Sequence, residues 1–107
     1  MALSKKIIYP NGTETNYHKI HSVTLTHVSA ITNTETGEEV VDISYNVEVQ
    51  VYSYVSKEIR KINEHNYLRN YAVVEVRPAE EVENANIMAL AYEIVKRDGR
   101  FADAEDV

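Results

Sequence analysis

The sequence has no cysteine, no tryptophan, one phenylalanine, two prolines and three glycines in 107 residues. Without cysteine there is no disulfide, no thiolate nucleophile and no Cys-ligated zinc. The scarcity of Pro and Gly, with 44% hydrophobic residues, argues against disorder away from the ends and for one packed domain over residues 1–107. No apolar run approaches the roughly 20 residues of a membrane-spanning helix, so no membrane insertion is expected. The opening MALSKKIIYPNG has too short an apolar stretch for a signal peptide, so the chain is expected to be made in the cytoplasm and to remain soluble.

Positive charge is also sparse: 11 basic residues against 17 acidic give −6. Binding to a phosphate backbone needs a concentrated basic surface, so no nucleic-acid partner is expected. Lys57, Arg60 and Lys61 form the one basic cluster, and Glu58 and Glu64 dilute it. There is no Gly-rich phosphate loop and no nucleophile elbow. The carboxylate pairs Glu38-Glu39 and Glu80-Glu81 are adjacent in sequence and point apart, and His65 has no evident nucleophile to activate. The residues therefore point to no catalytic, cofactor-binding or metal site, and the chain is expected not to be an enzyme.

What is present is β pattern followed by one helical pattern. Asn11-Gly12 supplies the positive φ of a tight hairpin turn between strands at about 5–9 and 13–17. The next strand is expected from Tyr17 to about Ser29, with a bulge near His21-Ser22 that brings Ile20 into phase with Val23. AITNTETGEEV reads as a hairpin loop. In VVDISYNVEVQVYSYV, the residues Val41, Ile43, Tyr45, Val47, Val49 and Val51 alternate with polar ones, which predicts one buried and one wet face. Residues 56–66 read as a polar hairpin excursion, and 67–77 as another strand. From Pro78 to Gly99 the spacing predicts one helix whose apolar stripe includes Ile87, Leu90, Ala91 and Ile94, stopped by Gly99. The tail after it is expected to fray, with Phe101 able to tack it down. The fold class is α+β: a mostly antiparallel sheet of hairpins with one C-terminal helix packed on one face.

NYHKIHSVTLTHV concentrates His18, His21 and His27. On an extended strand, residues three apart face opposite sides, and His21 and His27 stand roughly 20 Å apart. Zinc–nitrogen bonds of ~2.1 Å cannot bridge such a pair. The three are therefore read as surface or half-buried strand histidines, and replacing all three by Gln is expected to leave the fold intact.

Eight tyrosines are more suggestive. Tyr52 and Tyr54 fall on the face opposite the apolar stripe of their own strand, where tyrosine serves protein interfaces. Sheet decoration, or contact with the 56–66 excursion, is the alternative.

The opening KKIIYPNGTETNYHKIHSV, the strand VEVQVYSYVSKEIR and the closing AYEIVKR resemble small proteins from the tail gene modules of siphophages of Gram-positive bacteria. The matching residues are Tyr17-His18-Lys19-Ile20, and Tyr52-Ser53-Tyr54 followed by Lys57, Glu58 and Arg60. The stretch from Ile31 to Glu39 and the strand after it run longer than that pattern. The resemblance implies a structural or accessory protein of the distal tail or adsorption apparatus, located in the virion, with a fold like the shoulder domains of receptor-binding proteins. Its partners would be other phage tail proteins, and self-association through strand edges is a further expectation. The alternative is a non-virion phage protein that binds and modulates a host protein.

Overall fold

The computed structural model describes residues 2–107, Thr32 by its backbone alone. Five strands form one sheet: β1 (Leu3–Ile8), β2 (Glu14–Asn33), β3 (Glu39–Tyr54), β4 (Arg69–Pro78) and β5 (Glu105–Asp106), in the order β4-β3-β2-β1-β5. Every pairing is antiparallel. Three short helices accompany it: α1 (Lys57–Ile62), α2 (Ala79–Glu83) and α3 (Ile87–Arg97).

Local chemistry sets the turns. Gly12 takes φ 86° and donates its N–H to the Tyr9 carbonyl at 2.9 Å, while Asn11 Oδ1 accepts from Thr13 N at 3.1 Å. An L side chain at that φ is strained, so the turn needs glycine. Gly37, at φ 80°, closes the β2–β3 hairpin in the same way. The ladder between β2 and β3 runs from Tyr17↔Tyr54 to Asn33↔Glu39, with one shift between Ile20 and Ser22. His21 is the extra residue. The bulge puts Ile20 opposite Val51 and Val23 opposite Val49 on one face, as the alternation of apolar residues requires.

That face carries the core. Ile20, Val47, Val49, Val51 and Val73 form one buried cluster with Leu90, Ala91, Tyr92, Ile94 and Val95 of α3, with Val82 of α2, and with Leu3 and Phe101. Each aliphatic side chain buried there is worth about 1.5–3 kcal/mol.

Four expectations are corrected. The C-terminal helix is two helices: Asn84 Nδ2 donates to the Glu80 carbonyl at 2.9 Å, and Asn86 Oδ1 accepts from Ala89 N at 3.1 Å to start α3 afresh. Asparagine competes with the helical backbone for its hydrogen bonds, which breaks the run. Gly99 is not a left-handed stop; Asp98 caps α3 in extended conformation. The 56–66 excursion contains α1, whose first turn is capped by Ser56 Oγ accepting from Ile59 N. The tail does not fray: Phe101 is buried, β5 pairs with β1, and Ala2 and Val107 exchange backbone hydrogen bonds.

The fifth correction concerns length. β4 pairs with β3 only from Ser44 to Ser53, and β1 pairs with β2 only from Glu14 to His18. Beyond Val28↔Ser44 the two strands have only each other. Residues 24–31 and 33–43 are all exposed, and β2 runs to Asn33, four residues past the expected end at Ser29, which leaves only 34–38 of the expected loop between the strands. Val41 and Ile43 belong to the alternating stripe yet are 52% and 46% exposed, whereas Val47, Val49 and Val51 are buried. The molecule measures 59 × 27 × 22 Å with a radius of gyration of 17.5 Å. A compact chain of this size has about 13 Å. The difference is a two-stranded arm projecting from a five-stranded body.

Candidate functional site

On the face opposite the core, at the end of the body away from the arm, a cleft of about 250 Å³ is lined by Lys19, Ile20, His21, Tyr52, Tyr54, Arg60, Glu64 and His65. β2 and β3 place Lys19 opposite Tyr52. The bulge turns the His21 ring onto Tyr52, with centroids 4.1 Å apart and planes 6° from parallel. Tyr67, arriving after α1, stacks on the same phenol ring at 3.9 Å. Tyr52 thus sits inside a three-ring stack, where loss of solvent and the neighbouring Tyr67 hydroxyl hold its phenol above its usual range. It stays a neutral hydroxyl at physiological pH.

Tyr54 lies differently. It is 2% exposed, and its hydroxyl donates to the Glu64 carbonyl at 2.6 Å. Burial raises its phenol pKa, and Arg60 partly opposes the rise. Tyr54 anchors the 56–66 excursion to the sheet, with Tyr17 and Ala2 in the same small apolar cluster. Of the two tyrosines picked out from the sequence, Tyr52 lines the cleft and Tyr54 holds its wall.

The histidines separate. His21 lines the cleft beside His65, a residue 44 positions away in the chain. His27 meets the edge of Tyr45 on the core-side face. His18 is not a surface or half-buried residue: it is fully buried. Its Nε2 donates to the Lys5 carbonyl and its Nδ1 accepts from Ser53 Oγ, both at 2.7 Å, with the ring against Phe101. A carbonyl can only accept, so the proton must sit on Nε2. Among the described residues no group of three or more His, Cys, Asp or Glu is placed to hold a metal ion.

Charge is sorted along the molecule. Between Ile20 and Ser56 there is no Lys or Arg, while Glu35, Glu38, Glu39, Asp42 and Glu48 are present. None of these five acids has an ion pair among the described residues. In the body, Arg77 joins Glu75, Glu81 and Glu93, Arg97 joins Glu75 and Glu93, and Lys5, Lys6, Lys96 and Arg100 each hold a carboxylate. Among the described residues Lys19, Lys57, Lys61 and Arg69 have none, and Arg69 lies over the Tyr9 ring at 4.4 Å. The three lysines lie at the cleft end, where Arg60 reaches Glu64 only at 3.9 Å and its Nε is buried with no acceptor.

The arrangement suits binding of acidic side chains beside an aromatic floor. No family model, curated protein or solved structure matches the chain.

Proposed function

We propose that this protein is a non-enzymatic structural or accessory component of a bacteriophage tail tip or adsorption apparatus, acting through protein–protein contacts with other tail proteins. The observation that carries the reading is the arm. An isolated two-stranded ribbon is marginally stable in water. This one also exposes Ile31, Val41 and Ile43 on one side. In this reading α3 covers the apolar face of the sheet over the body, and a neighbouring protein covers the continuation of that face along the arm. The resemblance of Tyr17-His18-Lys19-Ile20 and Tyr52-Ser53-Tyr54 to tail-module proteins supplies the setting. The cleft around Tyr52 favours a second reading, a non-virion phage protein that seats a host protein's acidic side chain there.

Mass spectrometry of gradient-purified particles separates the two. The first reading expects the chain in stoichiometric amount in particles. Absence from particles, with abundant chain in infected cells, overturns it in favour of the second.

A further inference from the structure

The two ends of the molecule are complementary. At one end the arm carries four carboxylates, Glu35, Glu38, Glu39 and Asp42, with no ion pair among the described residues, no cation, and the exposed apolar residues Ile31, Val41 and Ile43. At the other end lie Lys19, Lys57 and Lys61, with no ion pair among the described residues, and the exposed apolar residues Val55, Ile62 and Leu68, with Glu58 offsetting one charge. The 16 residues of β3 separate the ends, a distance of roughly 50 Å at ~3.3 Å per residue. A chain cannot bring its own tip to its own cleft. Two arms brought together side by side would oppose four carboxylates to four.

We infer that the arm of one copy docks on the α1 end of a second copy, so that the protein assembles head to tail. The acidic tip, Glu35 to Asp42, lies over Lys57, Lys61 and the Arg60 wall of the cleft. The apolar side of the arm lies against Val55, Ile62 and Leu68. Such a contact is heterologous: each copy uses one surface to give and another to receive, so assembly does not stop at two. It closes into a ring or continues as a filament. This inference rests on reading the arm as a contact element, and not on the presence of the chain in a phage particle.

Sedimentation velocity of the purified chain tests it, over a range of concentrations and at two salt levels. At low salt the chain should form species larger than a dimer. Raising salt from about 50 mM to about 500 mM should weaken association at least roughly tenfold, because exposed charges are screened. Glu38→Lys with Glu39→Lys, and separately Lys57→Glu with Lys61→Glu, should each give a monomer. All four side chains are exposed, so both variants should keep the wild-type circular dichroism spectrum. Should either lose it, Glu38→Gln with Glu39→Gln or Lys57→Gln with Lys61→Gln replaces that variant and should weaken assembly. Mixed one to one, the two reversed variants should assemble again, in alternation and beyond a dimer. A wild-type chain that stays monomeric overturns the inference, as does assembly that survives both reversals or halts at a dimer. The particle measurement can succeed or fail independently of these results.

Discussion

His18 gives the sharpest test of the core. Replacing it with Ala removes a ring from a site with no solvent exposure and strands two polar groups, the Lys5 carbonyl and the Ser53 hydroxyl. An unsatisfied buried group costs about 1–3 kcal/mol, and emptying a core site of this size costs about as much again or more. The expected loss is about 3–5 kcal/mol, a large part of the 5–15 kcal/mol typical of a small domain. His18→Gln keeps a donor for the Lys5 carbonyl and should lose about 1–3 kcal/mol. His27→Gln, at an exposed position of β2, should stay within about 0.5 kcal/mol of wild type. Burial is the main reason the His18 imidazole titrates below its ordinary value of 6.5; its bond to the Lys5 carbonyl opposes the shift, and the Lys5 ammonium adds to it. The unfolded chain therefore takes up this proton first as pH falls. The stability contribution is intact above about pH 6.5 and declines below it, by up to about 1.4 kcal/mol per pH unit, until the folded protein also binds the proton. Urea unfolding followed by circular dichroism at about pH 7.5 and about pH 5.5 reads both effects. A His18→Ala loss below about 1 kcal/mol would refute the reasoning. A wild-type stability that does not fall across that interval would do the same.

Three further outcomes follow from the division into body and arm. Val49→Asp should destabilise by about 3–5 kcal/mol or prevent folding, while Val41→Asp, two turns of the alternation beyond the core on the same strand face, should cost under about 1 kcal/mol; chemical unfolding of the pair compares them directly. Joining Val28 to Ser44 through an Asn-Gly turn removes residues 29–43 and should leave the unfolding free energy of the body within about 1 kcal/mol, since no side chain described there is buried. Gly12→Ala should cost about 1 kcal/mol from its positive φ alone, because open space surrounds the added methyl group, and a melting curve unchanged from wild type would contradict the turn geometry.

Much of the local structure was legible in the residues because the signals were local. Asn11-Gly12 marked its turn, the mismatch between Ile20 and Val23 marked the bulge, and the alternation from Val41 to Val51 marked β3. What escaped depended on distant elements. The same alternation could not say how far the face would be covered. An 11-residue helix such as α3 spans only about 16 Å, the length of about five strand residues, and the stripe is twice that long. His18 was misread because its partners, Lys5, Ser53 and Phe101, come from three other parts of the chain. The cleft was half visible: Tyr52 stood out by its face, but Tyr67, His65 and Arg60 reach it only through the folding of α1 and the loop after it. One signal for the arm did exist in the sequence, the long interval from Ile20 to Ser56 without a single cation.

The most direct measurement for the central claim is residue-resolved amide hydrogen exchange on the chain when dilute and when concentrated at low salt. In the dilute chain, residues 29–43 should exchange far faster than Val47 to Ser53, since a two-stranded ribbon opens locally without unfolding the body. On concentration, the arm and α1 should become protected together while the core stays as it was. Slow exchange along the arm in the dilute chain would contradict the exposed ribbon. An arm that exchanges equally fast at both concentrations, with α1 unchanged, would contradict its role as the surface through which the protein assembles.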